Sequence, residues 1–184
     1  MGVPLTLGVE EELHLIDMAT FRLAGRAPAL LAQLPAEHFS FELQRTTVET
    51  NTAVCQTLAE LRADIAGRRQ QLMSVASDEG IGIAAVGTVP LSTAGDFELT
   101  SSGRFARMQE DYRLLVDEQL ICGLQIHVGV ADRDLAVEVM QRVSRQLPVL
   151  LVTPDTVAQY KSTGYNLEPP FDYKAMFRKL WGRG

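Results

Sequence analysis

Residues 7–15 place Leu7, Val9, Leu13 and Leu15 on one side and Gly8, Glu10, Glu12 and His14 on the other. Successive side chains of a strand point to opposite faces. This alternation therefore predicts a strand over residues 5–16, with one face in a core and the other carrying carboxylates and an imidazole. Residues 123–130 repeat the design, with Leu124, Ile126, Val128 and Val130 alternating with Gly123, Gln125, His127 and Gly129. Carboxylates gathered on an open sheet face repel one another unless a cation joins them. A metal site is the chemistry to expect. The competing reading is a solvated glutamate run that opens a helix. Alternation over this length favours the strand, although Glu11 breaks the pattern by falling on the apolar side.

Further along, Pro28 to Leu34 reads as a short helix stopped by Pro35, and residues 39–43 alternate with Phe39, Phe41 and Leu43 inward. Residues 46–52 are polar and β-branched, a candidate partner strand carrying Glu49. Glu42 and Glu49 have opposite parity, so a turn or bulge near Gln44 and Arg45 is needed if they are to share a site. Thr57-Leu58-Ala59-Glu60 has the form of a capping box. Leu58, Leu61, Ile65, Leu72, Val75 and Ala76 follow at helical spacing, with Gly80 as the stop. Residues 81–86 form a short apolar strand and residues 87–102 a loop. A helix is expected over 104–120, with Phe105, Met108, Tyr112, Leu115 and Val116 inward. Another is expected over 133–147, capped by Asp132, with Leu135, Val139 and Val143 on its stripe. Strands with one apolar face between long helices fit a sheet covered on one side and open on the other.

The 184 residues, 46% hydrophobic, can bury a substantial core. A net charge of −6 argues against nucleic acid as the main partner. No apolar stretch could span a bilayer, and the opening residues do not read as a signal peptide. Cys55 and Cys122 lie far apart with no Cys-x-x-Cys, which fits a reduced, cytoplasmic setting with both as small core residues. A P-loop, a Gly-x-Ser-x-Gly elbow and a dinucleotide-binding fingerprint in its strand–turn–helix context are all missing. From about residue 149 the chain changes character. All three lysines and half of the aromatics, including Phe171, Phe177 and Trp181, lie in this tail, so docking on something is expected.

Five segments in order carry a resemblance: Gly8-Val9-Glu10-Glu11-Glu12, Glu49-Thr50-Asn51-Thr52, Val86-Gly87-Thr88-Val89-Pro90, Arg104-Phe105, and Gly123-Leu124-Gln125-Ile126-His127-Val128-Gly129. Together they resemble the bacterial type 2 glutamate–cysteine ligases, small carboxylate–amine ligases of the glutamine-synthetase-like superfamily. The resemblance covers about residues 5–151. It implies an α+β fold with a largely antiparallel, curved sheet and helices on one face, here incomplete. Residues 1–151 would be the N-terminal half of the ligase domain and residues 152–184 a divergent tail.

The resemblance also implies chemistry. Family members use ATP to phosphorylate the γ-carboxylate of glutamate, and an amine such as that of cysteine then attacks the acyl phosphate. By position, Glu10, Glu12, Glu42 and Glu49 resemble metal ligands, His127 a metal or phosphate-facing ligand, and Arg104 a nucleotide-binding residue. ATP and Mg²⁺ are the implied cofactors. Mg²⁺ takes hard oxygen ligands and bridges substrate phosphates, which suits carboxylates on neighbouring strands. The chain departs from the pattern at Glu11, where the family is usually apolar, and in its length, about half the family's. The half not present would carry a further carboxylate and arginines. Weak or absent activity of the chain alone is therefore expected. The alternative is a non-catalytic remnant or an interaction subunit of a split ligase, with a homo-oligomer or a complementary half as partner.

Overall fold

The computed structural model describes residues 5–89, 91, 98–113, 116 and 120–144. The elements are β1 (Thr6–Asp17), α1 (Ala27–Leu31), β2 (Phe39–Phe41), β3 (Thr47–Asn51), α2 (Leu58–Asp78), β4 (Ile81–Ala84), α3 (Gly103–Tyr112), β5 (Leu124–Gly129) and α4 (Arg133–Ser144). The chain divides into two compact units, Met1–Val130 with all five strands and Ala131–Gly184 with α4.

The sheet is antiparallel throughout. β3 pairs with β2 on one side and with β1 on the other. Glu10 and Glu11 pair with both β3 and β5, and His14 with both β3 and β4. β5 and β4 therefore lie end to end along the edge of β1 that faces away from β3. At their junction the Glu12 N–H donates to the Gly123 carbonyl at 3.0 Å.

The underside of β1 supplies the core, as its alternation predicts. Leu13 and Leu15 pack with Leu30, Phe39, Val48, Leu72, Ala76 and Ile81. Val9 packs with Cys55 and Leu61 in a separate cluster. Helix α2 spans both clusters. Its start is capped as expected, since the Glu60 N–H donates to Thr57 Oγ1 at 3.1 Å. The returning Glu60 carboxylate accepts from the Gln56 N–H at 2.8 Å, one residue earlier than in the simplest capping box. Gly80 ends the helix with φ +71°, a conformation that costs glycine little.

Several expectations change. Leu58 lies in the first turn of α2 and is exposed, so the apolar stripe begins at Leu61. β2 stops at Phe41, whose ring is exposed, while Phe39 and Leu43 are buried. The helix expected over 104–120 is interrupted after Tyr112, itself exposed, where Arg113 turns the backbone to φ 45°; Phe105 and Val116 are buried as expected, and Val116 is again helical. β5 forms in the expected place, yet Leu124, Ile126 and Val128 are exposed rather than buried. In the second unit the Leu135 N–H donates to Asp132 Oδ1, so the expected cap is present, while Leu135 and Val143 are exposed. Residues 145–147 of that helix and the tail 152–184 lie outside the described residues. Among the described residues no helix is long and apolar enough to cross a membrane.

Candidate functional site

Residues directly opposite each other on neighbouring strands share a face. Glu12 lies opposite Glu49, Glu10 opposite Asn51 and Gln125, and Gly8 opposite His127. Ser40 lies opposite Glu49, and His14 opposite Thr47. The open face thus gathers the polar residues that parity assigns to it. Glu42 joins them from beyond the end of β2. The chain breaks its alternation between Leu43 and Thr46, where the Thr47 N–H donates to the Gln44 carbonyl in a turn. That is the break the opposite parity of Glu42 and Glu49 requires.

One ligand oxygen from each of Glu12, Glu42 and Glu49 lies within 4.8 Å of the others. Two oxygens bound to one Mg²⁺ at 2.0–2.1 Å sit at most about 4.2 Å apart. Small side-chain rotations would be enough to bring these carboxylates within reach of one ion, and the donor set is the hard-oxygen type that such ions take. The surroundings orient these groups. Glu49 Oε1 accepts from Ser40 Oγ at 2.9 Å and Asn51 Nδ2 at 3.2 Å, which among the described residues leaves Oε2 without a hydrogen bond. Glu12 Oε2 accepts from the Gly123 N–H at 2.8 Å, leaving Oε1. Hydrogen bonds of this kind fix the rotamers of ligating carboxylates.

Burial pushes the Glu42 carboxyl above its ordinary range. The Leu43 N–H opposes that shift, the charges of Glu12 and Glu49 add to it, and Arg104 opposes it again. Arg104 is exposed at the start of α3, where its guanidinium also stands 5.6 Å over the Phe105 ring.

Glu10 and His127 form an adjacent pair, with Nε2 3.5 Å from Oε1. A pocket of about 270 Å³ opens beside them, lined by Thr6, Gly8, Asn51, Thr52 and Gly129 among others. His14 shares the open-face parity but is fully buried, its Nδ1 3.4 Å from Thr47 Oγ1 and its Nε2 without a hydrogen-bond partner. Burial lowers its pKa below the ordinary imidazole value.

Two features were not foreseen. Cys122 does not lie in a distant core. Its half-buried thiol is pushed up to about 12 by burial and by the nearby Glu12, while the Thr47 hydroxyl counteracts the shift. Glu11 is buried on the underside and forms a two-pronged ion pair with Arg69 of α2. Ser40 and Asn51 could be found by parity, because each falls on the same face as Glu49. The other two contacts join residues far apart in sequence and leave no local signal.

Comparison with known proteins identifies the family and the fold. The family model described as glutamate-cysteine ligase family 2 matches residues 6–152. A protein of Mycolicibacterium smegmatis named "Putative glutamate--cysteine ligase 2-2" is 50% identical over 148 residues, covering 80% of this chain and 37% of that protein. One of the same name from Frankia casuarinae is 42% identical over 179 residues, 97% of this chain and 20% of that protein. The chain thus spans well under half the length of these relatives. A crystal structure of the glutamate–cysteine ligase of Francisella tularensis in complex with AMP superposes with a TM-score of 0.53 at 17% identity, covering 78% of this chain and 30% of that one. That likeness shows the α+β fold. The family match over most of the chain establishes that it belongs to the glutamate–cysteine ligase family 2.

Proposed function

We propose that this chain supplies the cation-binding and part of the nucleotide-binding surface of an ATP-dependent carboxylate–amine ligase. In that reaction ATP phosphorylates the γ-carboxylate of glutamate, and an amine such as that of cysteine displaces the phosphate to form a γ-glutamyl amide. The observation that carries the reading is the convergence of Glu12, Glu42 and Glu49 on the open sheet face. These three would hold Mg²⁺, with Glu10 and His127 as neighbouring ligands. Such an ion, when bound, would supply charge neutralisation at the γ-phosphoryl group. The chain's own residues do the positioning. Ser40, Asn51 and the Gly123 N–H hold the carboxylates, and Arg104 offers its cation to the nucleotide. The relatives' names support the ligase assignment, and the AMP in the Francisella tularensis structure supports an adenine nucleotide. Two free thiols, Cys55 and Cys122, agree with a reducing, cytoplasmic setting.

Phosphoryl transfer is mostly positioning and charge stabilisation. A chain covering 37% of its 50%-identical relative brings only part of that apparatus. The 184-residue chain alone should bind ATP weakly and ligate glutamate and cysteine far below the ordinary enzymatic range, on the order of 1–10³ per second. The second reading is an interaction subunit or non-catalytic remnant of such a ligase. Calorimetric titration with Mn²⁺ and Mg²⁺ tests the site. Wild-type protein should bind, and Glu12→Gln combined with Glu49→Gln should abolish binding without loss of fold. Equal affinity in the double variant would refute the site. Turnover in the enzymatic range by the chain alone would refute its incompleteness.

A further inference from the structure

The run Glu10-Glu11-Glu12 poses a problem that hydrophobic patterning cannot solve. Burial of Val9, Leu13 and Leu15 decides which face of β1 points down. It does not decide between registers two residues apart, because a shift of two preserves the face. Such a shift would move Glu12 away from Glu49 and put Glu10 or His14 in its place. We infer that the Glu11–Arg69 ion pair is the positioning device that makes the register unique and so seats Glu12 among its partners. This rests on the reading of Glu12, Glu42 and Glu49 as the cation site.

The pair lies between two separate apolar clusters along one interface. On β1 the order is Val9, Glu11, then Leu13 and Leu15. On α2 it is Leu61 and Ile65, Arg69, then Leu72 and Ala76. Both elements thus run apolar, charged, apolar. Their steps match, since two strand residues advance about 6.6 Å and four helical residues about 6 Å. Arg69 Nε donates to Glu11 Oε2 at 2.8 Å, and Nη2 donates to Oε1. Thr50 stands opposite Glu11 on β3, with a buried hydroxyl that has no hydrogen-bond partner. The support for the Glu11 carboxylate therefore comes from α2. A slip of two residues in either direction drives the buried Glu11 carboxylate into an aliphatic cluster without its partner, which is costly; the half-exposed Arg69 would merely lose its acceptor. Glu11 is buried while Arg69 stays partly open to water, and fixing register is the best-attested use of a buried polar or ionic group, whose replacement by well-packed apolar residues often leaves stability unchanged or raised.

The test separates register from stability. In E11L/R69M the underside of β1 becomes uniformly aliphatic. The melting temperature should hold or rise, while the single set of cross-strand nuclear Overhauser contacts between Glu12 and Glu49 gives way to more than one set. Mn²⁺ affinity should fall more than tenfold. Arg69→Lys should keep one register and near wild-type affinity. Arg69→Gln, which keeps a donor but loses the charge, is the second probe should the double variant not fold, and mixed register is expected there too. A single Glu12–Glu49 register with wild-type Mn²⁺ affinity in E11L/R69M, or a single register in R69Q where only that variant folds, overturns the inference. If wild-type protein binds no Mn²⁺, the cation reading fails, and the cross-strand contacts alone still decide the register question.

Discussion

Desolvation raises the Glu42 carboxyl, the Leu43 N–H opposes the shift, and the charges of Glu12 and Glu49 reinforce it. Without a cation the folded state therefore holds the Glu42 proton more tightly than the unfolded chain does. By linkage, the stability from this group is complete below the ordinary carboxylate value of 4.5 and is lost as pH rises through the raised value. Glu42→Gln should raise the melting temperature of cation-free protein at pH 7.5, with the gain shrinking as pH falls toward 4. The same variant should bind Mn²⁺ more than tenfold more weakly. Thermal melts across pH with calorimetry check both halves, and a variant no more stable than wild type at pH 7.5 contradicts the first. At this scale much was legible. Glu10, Glu12 and His127 fall on the open face by simple parity, and the need for a break between Glu42 and Glu49 followed from the same rule. The environment of Cys122 and the role of Glu11 were not legible, because Thr47 and Arg69 reach them across 75 and 58 positions of sequence.

Helix α2 is the element whose ends are best determined by local chemistry. The Thr57 hydroxyl satisfies the Glu60 N–H, one of the donors that a helix start leaves unpaired. Thr57→Ala should cost about 1 kcal/mol, a drop of about 2–4 °C in melting temperature for a domain of this size. Thr57→Ser should recover most of it. An unchanged melt for the alanine variant would mean that the cap contributes nothing. The boundaries of α2 could be read from sequence because Thr57, Glu60 and Gly80 act on their own neighbourhoods. The boundary of α3 could not. Its apolar spacing continues past Tyr112, and only the positive φ of Arg113 interrupts it. β5 fits the strand pattern equally well, yet alternation says nothing about what covers a strand, and Leu124, Ile126 and Val128 remain exposed.

At the scale of the molecule, residues 152–184 carry six aromatics and all three lysines. Docked aromatics bury roughly 150–250 Å² each, so deleting the chain from Thr153 onward should lower the melting temperature or change the oligomeric state. A truncation that stays soluble with both unchanged would show that the tail contributes nothing to either. The arrangement of the five strands has a consequence of another kind. β1 carries Glu10 and Glu12 and is hydrogen-bonded along both edges, by β3 on one side and by β5 and then β4 on the other. A strand enclosed in this way cannot open by fraying, and amides so placed exchange with solvent only through the largest unfolding events. The amides of residues 10–14 should therefore be among the slowest to take up deuterium, and saturating Mn²⁺ should slow them further by the full free energy of binding. A frayed edge strand would respond only locally, whereas every ion captured on this face counts toward the stability of the whole unit.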